Sequence, residues 1–288
     1  LLLANELKYS LGKAYHEWLY EEAKLNLMNF ILVKYESALA VTNLRYEVGE
    51  TSGLDVVLFK NELENLQQSE LIQSQNSQRT KSMLIELAEL SSEANLIPHD
   101  LTKIEMDIDE EFEKERSLYL ETFRLKKNAL DAQLALVQQQ SKLPDIHLGY
   151  FMQSLEKDIG FQGVSLRIGI PLDRRIVKYQ KLQTDIEMNQ LDINKAALEE
   201  KYLGKIDRLR NNIAITQNYL NSYAQNSVTY QIEIERLVTL QYEKGEIDIL
   251  DFNRIHQQNL DDKKRNLEQI NLFNQASLQL SYLTQKRN

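Results

Sequence analysis

Two aspartates lead the residues whose type and spacing could do chemistry. Asp55 and Asp251 each stand six residues after a glycine, Gly49 and Gly245, within segments that share a pattern. Tyr46-Glu47-Val48-Gly49-Glu50-Thr51-Ser52-Gly53-Leu54-Asp55 lies against Tyr242-Glu243-Lys244-Gly245-Glu246-Ile247-Asp248-Ile249-Leu250-Asp251, with six of ten positions identical at a constant offset of 196. A carboxylate so placed can satisfy the orphan amides and the dipole at the start of a helix. Other chemistry is thin. His16, His99, His147 and His256 are scattered singly and are expected on the surface or in the helical wall, with no spacing that would hold a metal. The run Asp107-Ile108-Asp109-Glu110-Glu111 reads as a solvated acidic patch. There is no cysteine, which excludes disulfides, thiolate zinc sites and cysteine nucleophiles. No paired carboxylates, phosphate loop or nucleophile elbow suggest catalysis. The chain is read as a non-enzyme without cofactor or metal.

Composition limits what can position these residues. Glycine and proline number 9 and 3 among 288 residues, far below the average share of about 12%. So few turn formers cannot punctuate a sandwich or a Rossmann sheet, and a few very long helices remain. At 42% hydrophobic the chain can build a core. A formal charge of −9 argues against a general nucleic-acid binder. No apolar run approaches the roughly 18 residues of a membrane-spanning helix. The start at Leu1, without Met or a signal segment, reads as a processed or trimmed product.

Along the chain, Leu11, Trp18, Leu25, Leu32, Leu39 and Tyr46 recur every seven residues, filled in by Leu7, Ala14, Met28 and Tyr35. This is the stripe of a coiled-coil helix. A second helix is expected from about Leu54 to Asn95, with a solvated Gln/Ser-rich stretch at Gln67–Gln78. Pro98 breaks the chain, and a third helix runs from about Glu113 to Lys142. The period then changes to two. Ile146, Leu148, Tyr150 and Met152 alternate with His147, Gly149, Phe151 and Gln153. After a polar loop at Ser154–Gln162, Val164, Leu166, Ile168 and Ile170 alternate with Ser165, Arg167 and Gly169. These runs predict a β-hairpin. Arg174 to Glu243 reads as one uninterrupted helix, and a last helix spans about Leu250 to Lys286.

Each shared ten-residue segment ends one helix and starts another, so each is the tip of an antiparallel helical hairpin. The order implies a duplicated unit, a β-hairpin followed by a helical hairpin, with the first β-hairpin missing ahead of Leu1. Three regions follow: 1–142 for the first-repeat helices with a break near 97–112, 143–172 for the hairpin, and 173–288 for the second helical hairpin with its tip at 244–250.

This ordered set resembles the TolC-like outer-membrane efflux channels. The resemblance is carried by Leu143-Pro144-Asp145-Ile146, Gly149-Tyr150-Phe151-Met152-Gln153-Ser154, Gly169-Ile170-Pro171-Leu172 and the two Tyr-x-x-Gly-x-x-x-x-Leu-Asp tips. The stretch Gly149–Ser154 is most similar to the branch serving heavy-metal resistance-nodulation-division pumps. The resemblance implies a mainly α protomer of an α-barrel, one hairpin of a transmembrane β-barrel, and a homotrimer in the outer membrane with its helices in the periplasm. It implies as partners a periplasmic adaptor and an inner-membrane pump, and as cargo substrates that include heavy-metal cations. On the same basis Gly49, Glu50, Asp55, Gly245, Glu246, Asp248 and Asp251 belong to the periplasmic aperture and adaptor contact. Asp251 matches an aperture-ring aspartate, whereas the second ring position is Arg254 and a gating arginine position is Ile247. Ile146, Leu148, Tyr150, Val164, Leu166, Ile168 and Ile170 would face lipid. Two other readings stay open, a periplasmic adaptor and a coiled-coil scaffold, and Asp55 and Asp251 are equally well read as helix-start stabilisers.

Overall fold

The structure is a computed structural model describing residues 2–91, 94–105, 118–140, 144–155, 158–169 and 175–284. In chain order the elements are α1 (Leu2–Glu47), α2 (Gly53–Leu87), α3 (Leu118–Gln140), β1 (Asp145–Leu155), β2 (Asp158–Gly169), α4 (Arg175–Ser222), a π-helical turn (Tyr223–Ser227), α5 (Val228–Glu243) and α6 (Ile249–Thr284). The expected class, long helical hairpins with one β-hairpin, is what forms. The chain divides into two compact units, Leu1–Phe112 with Lys205–Gln285, and Glu113–Gly204 with Lys286–Asn288.

In the first unit α1 packs along α2 and α6. The main core joins Met28, Ile31, Tyr35 and Ala38 of α1 to Phe59 and Leu66 of α2, Val238 and Tyr242 of α5, and Ile249, Phe252 and Leu260 of α6. Thr42 continues this buried seam at the same three-four spacing, whereas Tyr46 of the expected stripe is exposed. The Gln/Ser stretch of α2 is not simply solvated. Gln73 is buried and donates from Nε2 to the Glu21 carbonyl at 2.9 Å and to Glu21 Oε2 at 2.6 Å. Ser77 is buried and donates to Glu22. Glu21, which interrupts the apolar stripe, is thereby satisfied across the helix pair.

The second helix ends eight residues before the expected Asn95. Its last turn closes at Glu89, which takes φ +52°, with Glu89 N donating to Glu86 O at 3.1 Å and Leu90 N to Ile85 O at 3.0 Å. This is the same left-handed closure that glycine normally provides. The non-helical chain beyond it is held by packing, since Leu96 and Leu101 rest against a second cluster of Trp18, Leu19 and Leu84. Asn274 of α6, fully buried, accepts from Ile104 N at 2.9 Å and donates to Thr102 O at 2.8 Å, so one amide pairs with the strap as a neighbouring strand would.

The expected single rod from Arg174 to Glu243 is broken. Tyr202, Ile206, Leu209, Ile213 and Thr216 are buried at heptad spacing, and continuing that spacing leads to Tyr230, Ile234 and Leu237. Those three are exposed, and the buried face of α5 is instead Gln231, Glu235, Val238 and Tyr242, one residue later. The π-helical turn supplies the extra residue. A π-turn widens the helix by one residue, which rotates everything after it by about 100°. Its cost is partly met locally, as Tyr219 and Tyr223 stack with ring centres 6.1 Å apart, and Tyr223 Oη donates to Gln231 Oε1 at 2.6 Å.

The second unit holds the hairpin. β1 and β2 pair antiparallel, with Ile146 opposite Ile168, His147 opposite Arg167, Leu148 opposite Leu166, Gly149 opposite Ser165, Tyr150 opposite Val164 and Phe151 opposite Gly163. Most of the expected polar loop is strand, because β1 runs to Leu155 and β2 begins at Asp158. A longer ladder satisfies more backbone groups than an open loop would. The acidic patch 107–111 and Ile170, Pro171 and Leu172 lie outside the described residues.

Candidate functional site

Both helical tips close by the same backbone device. At the first, Gly49 N donates to Tyr46 O at 3.0 Å and Glu50 N to Arg45 O at 2.7 Å; at the second, Gly245 N donates to Tyr242 O at 3.0 Å and Glu246 N to Gln241 O at 2.8 Å. Gly49 and Gly245 sit at φ +79° and +72°, where a side chain is strained. The sequence pattern at these positions is therefore a backbone requirement.

The next helices start differently. Ser52 is the N-cap of α2 and forms a reciprocal pair with Asp55. Ser52 Oγ accepts from Asp55 N at 3.2 Å, while Asp55 Oδ2 accepts from Ser52 N at 3.0 Å and from Thr51 Oγ1 at 2.7 Å. The Thr51 hydroxyl and then the Ser52 amide stabilise the carboxylate and hold its pKa below the ordinary value. At the second tip Asp248 takes the N-cap part, its Oδ1 accepting from Asp251 N at 2.8 Å. Asp251 is thus released from capping and accepts from Arg254 Nη2 at 2.9 Å on the exposed surface. Glu50, Glu246 and Asp248 are exposed, and Ile247 is half-buried against the core.

The tips are joined to each other. Arg45 of α1 donates from Nη1 to the Tyr242 carbonyl at 3.0 Å, and its guanidinium lies 5.5 Å from the Tyr242 ring centre. It thereby caps the C-terminal end of α5 with a cation from another helix. A Cβ on Gly245 would come within 2.8 Å of Arg45 Nη2, whereas one on Gly49 would meet nothing within 4 Å. Thr42 Oγ1 donates to Ala38 O at 2.8 Å, which leaves it to accept from Tyr242 Oη at 2.6 Å. Burial raises the Tyr242 pKa, so this phenol stays a donor. Below it Phe59 and Phe252 lie 5.4 and 4.8 Å from the Tyr242 ring, and His256 lies 4.3 Å from Phe252.

The sequence reading gives Thr42 and Arg45 no part, and it names Tyr242 and His256 without the contacts they make. Arg45 and Tyr242 touch across 197 residues, and the repeat aligns Tyr242 with the exposed Tyr46, which conceals the difference. His256, expected on the surface or in the wall, is only 3% exposed. Among the described residues no three histidines or acids gather as a metal site.

On the hairpin, Ile146, Leu148, Tyr150, Val164, Leu166 and Ile168 all lie on one face and are 55–76% exposed. The opposite face carries His147, Gln153, Ser165 and Arg167, with Phe151 laid against Gly163. No helix among the described residues is long and apolar enough to cross a membrane.

No family model matches the sequence. No curated protein matches it. Solved structures do. The outer-membrane channel OprN superposes with a TM-score of 0.82 at 15% identity, over 99% of this chain and 67% of that one. The outer membrane protein VceC of Vibrio cholerae gives 0.77 at 15% identity, covering 98% and 70%. CusC, studied for its folding and transmembrane channel formation, gives 0.75 at 13% identity, covering 99% and 70%. The chain therefore spans about two-thirds of the length of these neighbours.

Proposed function

We propose, from a fold that is that of the TolC-like outer-membrane channels, that this chain is the subunit of a trimeric outer-membrane efflux channel. It would act as a passive conduit from periplasm to exterior, served by a periplasmic adaptor and an inner-membrane pump, and would carry heavy-metal cations among its substrates. On this reading 1–142 and 173–288 are two copies of one helical unit and 143–172 crosses the membrane.

The observation that carries the proposal is the one-sided hairpin. Seven large apolar side chains, Met152 included, stand exposed on one face while His147, Gln153, Ser165 and Arg167 share the other with Phe151. A two-stranded hairpin is marginal in water, and a strand of about nine to eleven residues crosses a bilayer when tilted. Lipid would cover Ile146, Leu148, Tyr150, Val164, Leu166, Ile168 and Ile170. The stripe Tyr230, Ile234 and Leu237 on α5 supports a sister subunit in the same way, because the described residues leave it exposed.

Gly49, Glu50, Gly245, Glu246 and Asp248 would then meet the adaptor. Asp251 would line the aperture, and its pairing with Arg254 would moderate the cation preference of the exposed carboxylates. Asp55 would contribute structure there, since its carboxylate is engaged by Thr51 and Ser52. An adaptor needs many short strands, and the described residues hold two. A scaffold has no use for an oily hairpin.

Lysine scanning of the hairpin in the membrane-inserted protein tests the reading. Leu148→Lys or Leu166→Lys should sharply reduce trimer recovered from outer membranes, a cost of about 2–4 kcal/mol near mid-bilayer. Ser165→Lys on the other face should leave recovery unchanged. Equal losses from the two faces would overturn the proposal.

A further inference from the structure

Four polar atoms on three helices are buried without a protein hydrogen-bond partner close to one histidine. They are Tyr35 Oη on α1, Glu235 Oε1 on α5, and His256 Nε2 and Asn259 Oδ1 on α6. All four residues are buried. The His256 ring is wedged between Phe252, at 4.3 Å, and Tyr35, at 5.9 Å. The other oxygen of Glu235 accepts from Lys263 Nζ at 2.9 Å, and Lys263 and Lys34 both sit over the Phe30 ring, at 5.2 and 5.3 Å. The groups facing His256 are thus Lys34 and Tyr35 from α1, Glu235 from α5 and Lys263 from α6, with Glu62 of α2 acting on Tyr35.

Core positions of this kind usually go to apolar residues, since an unpaired buried polar group is costly. Here the polar residues enter the core because the π-helical turn rotates Gln231 and Glu235 inward and turns Tyr230, Ile234 and Leu237 outward. α5 is therefore bounded by a one-residue irregularity at one end and by the Gly245 tip at the other. Its mid-point is fastened by the Glu235–Lys263 pair beside a neutral imidazole.

We propose that α5 is an arm pivoting at Tyr223–Ser227, and that proton uptake by His256 releases its catch on α1 and α6. The protonated ring would stand among Lys34, Lys263 and two aromatic faces, with Glu235 as its nearest counter-charge. His256 Nε2 and Glu235 Oε1 are both without a partner, so they are not bonded to each other as they stand; to meet, the ring or the Glu235–Lys263 pair must move, or else the ring leaves its aromatic slot for water. Either movement shifts α5 against α1 and strains the Arg45 and Thr42 bonds to Tyr242.

Burial lowers the His256 pKa from its ordinary value near 6.5 to about 4. A state that wets the ring binds more protons across this window, so the arrangement described is fully favoured above about pH 6.5 and loses ground as pH falls toward 4. Each pKa unit is a tenfold change in the ratio of states, so that ratio should move on the order of 100-fold.

The absence of native cysteine makes labelling clean. In the full chain carrying spin labels at Glu47→Cys and Lys244→Cys, the distance distribution should shift or broaden on acidification, with a midpoint between pH 4 and 6.5. His256→Phe, which keeps an aromatic ring and removes the titration, should hold the neutral-pH distance throughout. A constant distance down to pH 4 in the unsubstituted chain, or the same shift in His256→Phe, would overturn the proposal. Should His256→Phe not fold, hydrogen exchange of the unsubstituted chain decides. Corrected for intrinsic rate, amides of Val228–Glu243 should lose protection on acidification before those of Gly53–Leu87, and uniform loss would count against the catch. The distances report on α5 whether or not the protein conducts, so failure here is separable from failure of the channel reading.

Discussion

At the first tip Tyr46 stands in solvent and Asp55 turns back onto its own helix; at the second Tyr242 is buried among four helices and Asp251 turns outward to Arg254. Both tips share the glycine closure, because a chain leaving one helix for an antiparallel partner needs a left-handed residue there. They diverge where their neighbours differ. Ser52 can cap α2 and leaves Asp55 to complete the pair, whereas Asp248 caps α6 and frees Asp251. The two tips share a turn geometry, and tertiary contact assigns their side chains to separate tasks.

The widest gap between the tips should appear at the tyrosines. Tyr242→Ala should cost about 3–5 kcal/mol in chemical or thermal unfolding, as truncation of a buried aromatic does. Tyr46→Ala should stay within about 0.5 kcal/mol. Similar losses at both positions would dissolve the contrast. Thr42→Val sharpens it further, since it leaves the Tyr242 hydroxyl buried without its acceptor. That substitution should cost about 1–3 kcal/mol.

The glycines should separate next. Gly49→Ala meets only backbone strain, about 1 kcal/mol. Gly245→Ala meets the same strain and also displaces Arg45 from the Tyr242 carbonyl, so it should be the more damaging in a melting comparison. The smallest difference lies at the aspartates. Asp55→Ala removes half of a capping box and should cost about 1 kcal/mol, while Asp251→Ala loses an exposed ion pair worth under about 0.5 kcal/mol. Because the Asp55 pKa is held down, its contribution is present above the ordinary carboxylate pKa and is lost as pH falls through the folded value. Acid titration of Asp55→Ala should therefore show a weaker acid limb. On the proposed channel reading, Asp251→Ala should lower cation selectivity in bilayer recordings, and unchanged selectivity would count against the aperture role proposed for Asp251.

The helices, the tips and the hairpin were legible because each rests on a local rule: heptad spacing, a glycine at positive φ, and alternation along a strand. The hairpin face could be assigned residue by residue, since Ile146, Leu148 and Tyr150 fall opposite Ile168, Leu166 and Val164. What stayed hidden depends on partners distant in sequence. Glu89 ends α2 without glycine because Leu96 and Leu101 have a cluster to join. The Arg45–Tyr242 bond leaves no spacing to detect. The π-turn has no compositional mark, and it shows only in which of two adjacent stripes on α5 is covered.

That turn leaves the chain with two rival phases in one helix. Removing a single residue between Tyr223 and Ser227 would take out the residue that the turn absorbs, so the helix would run through as regular α-helix with Gln231, Glu235, Val238 and Tyr242 still on the seam. Straightening the turn without shortening the chain is the opposite change: α5 would rotate by roughly 100°, carrying Tyr230, Ile234 and Leu237 into the seam and Gln231 and Glu235 out of it. One surplus residue is thus all that keeps an oily strip turned away from the core of its own chain.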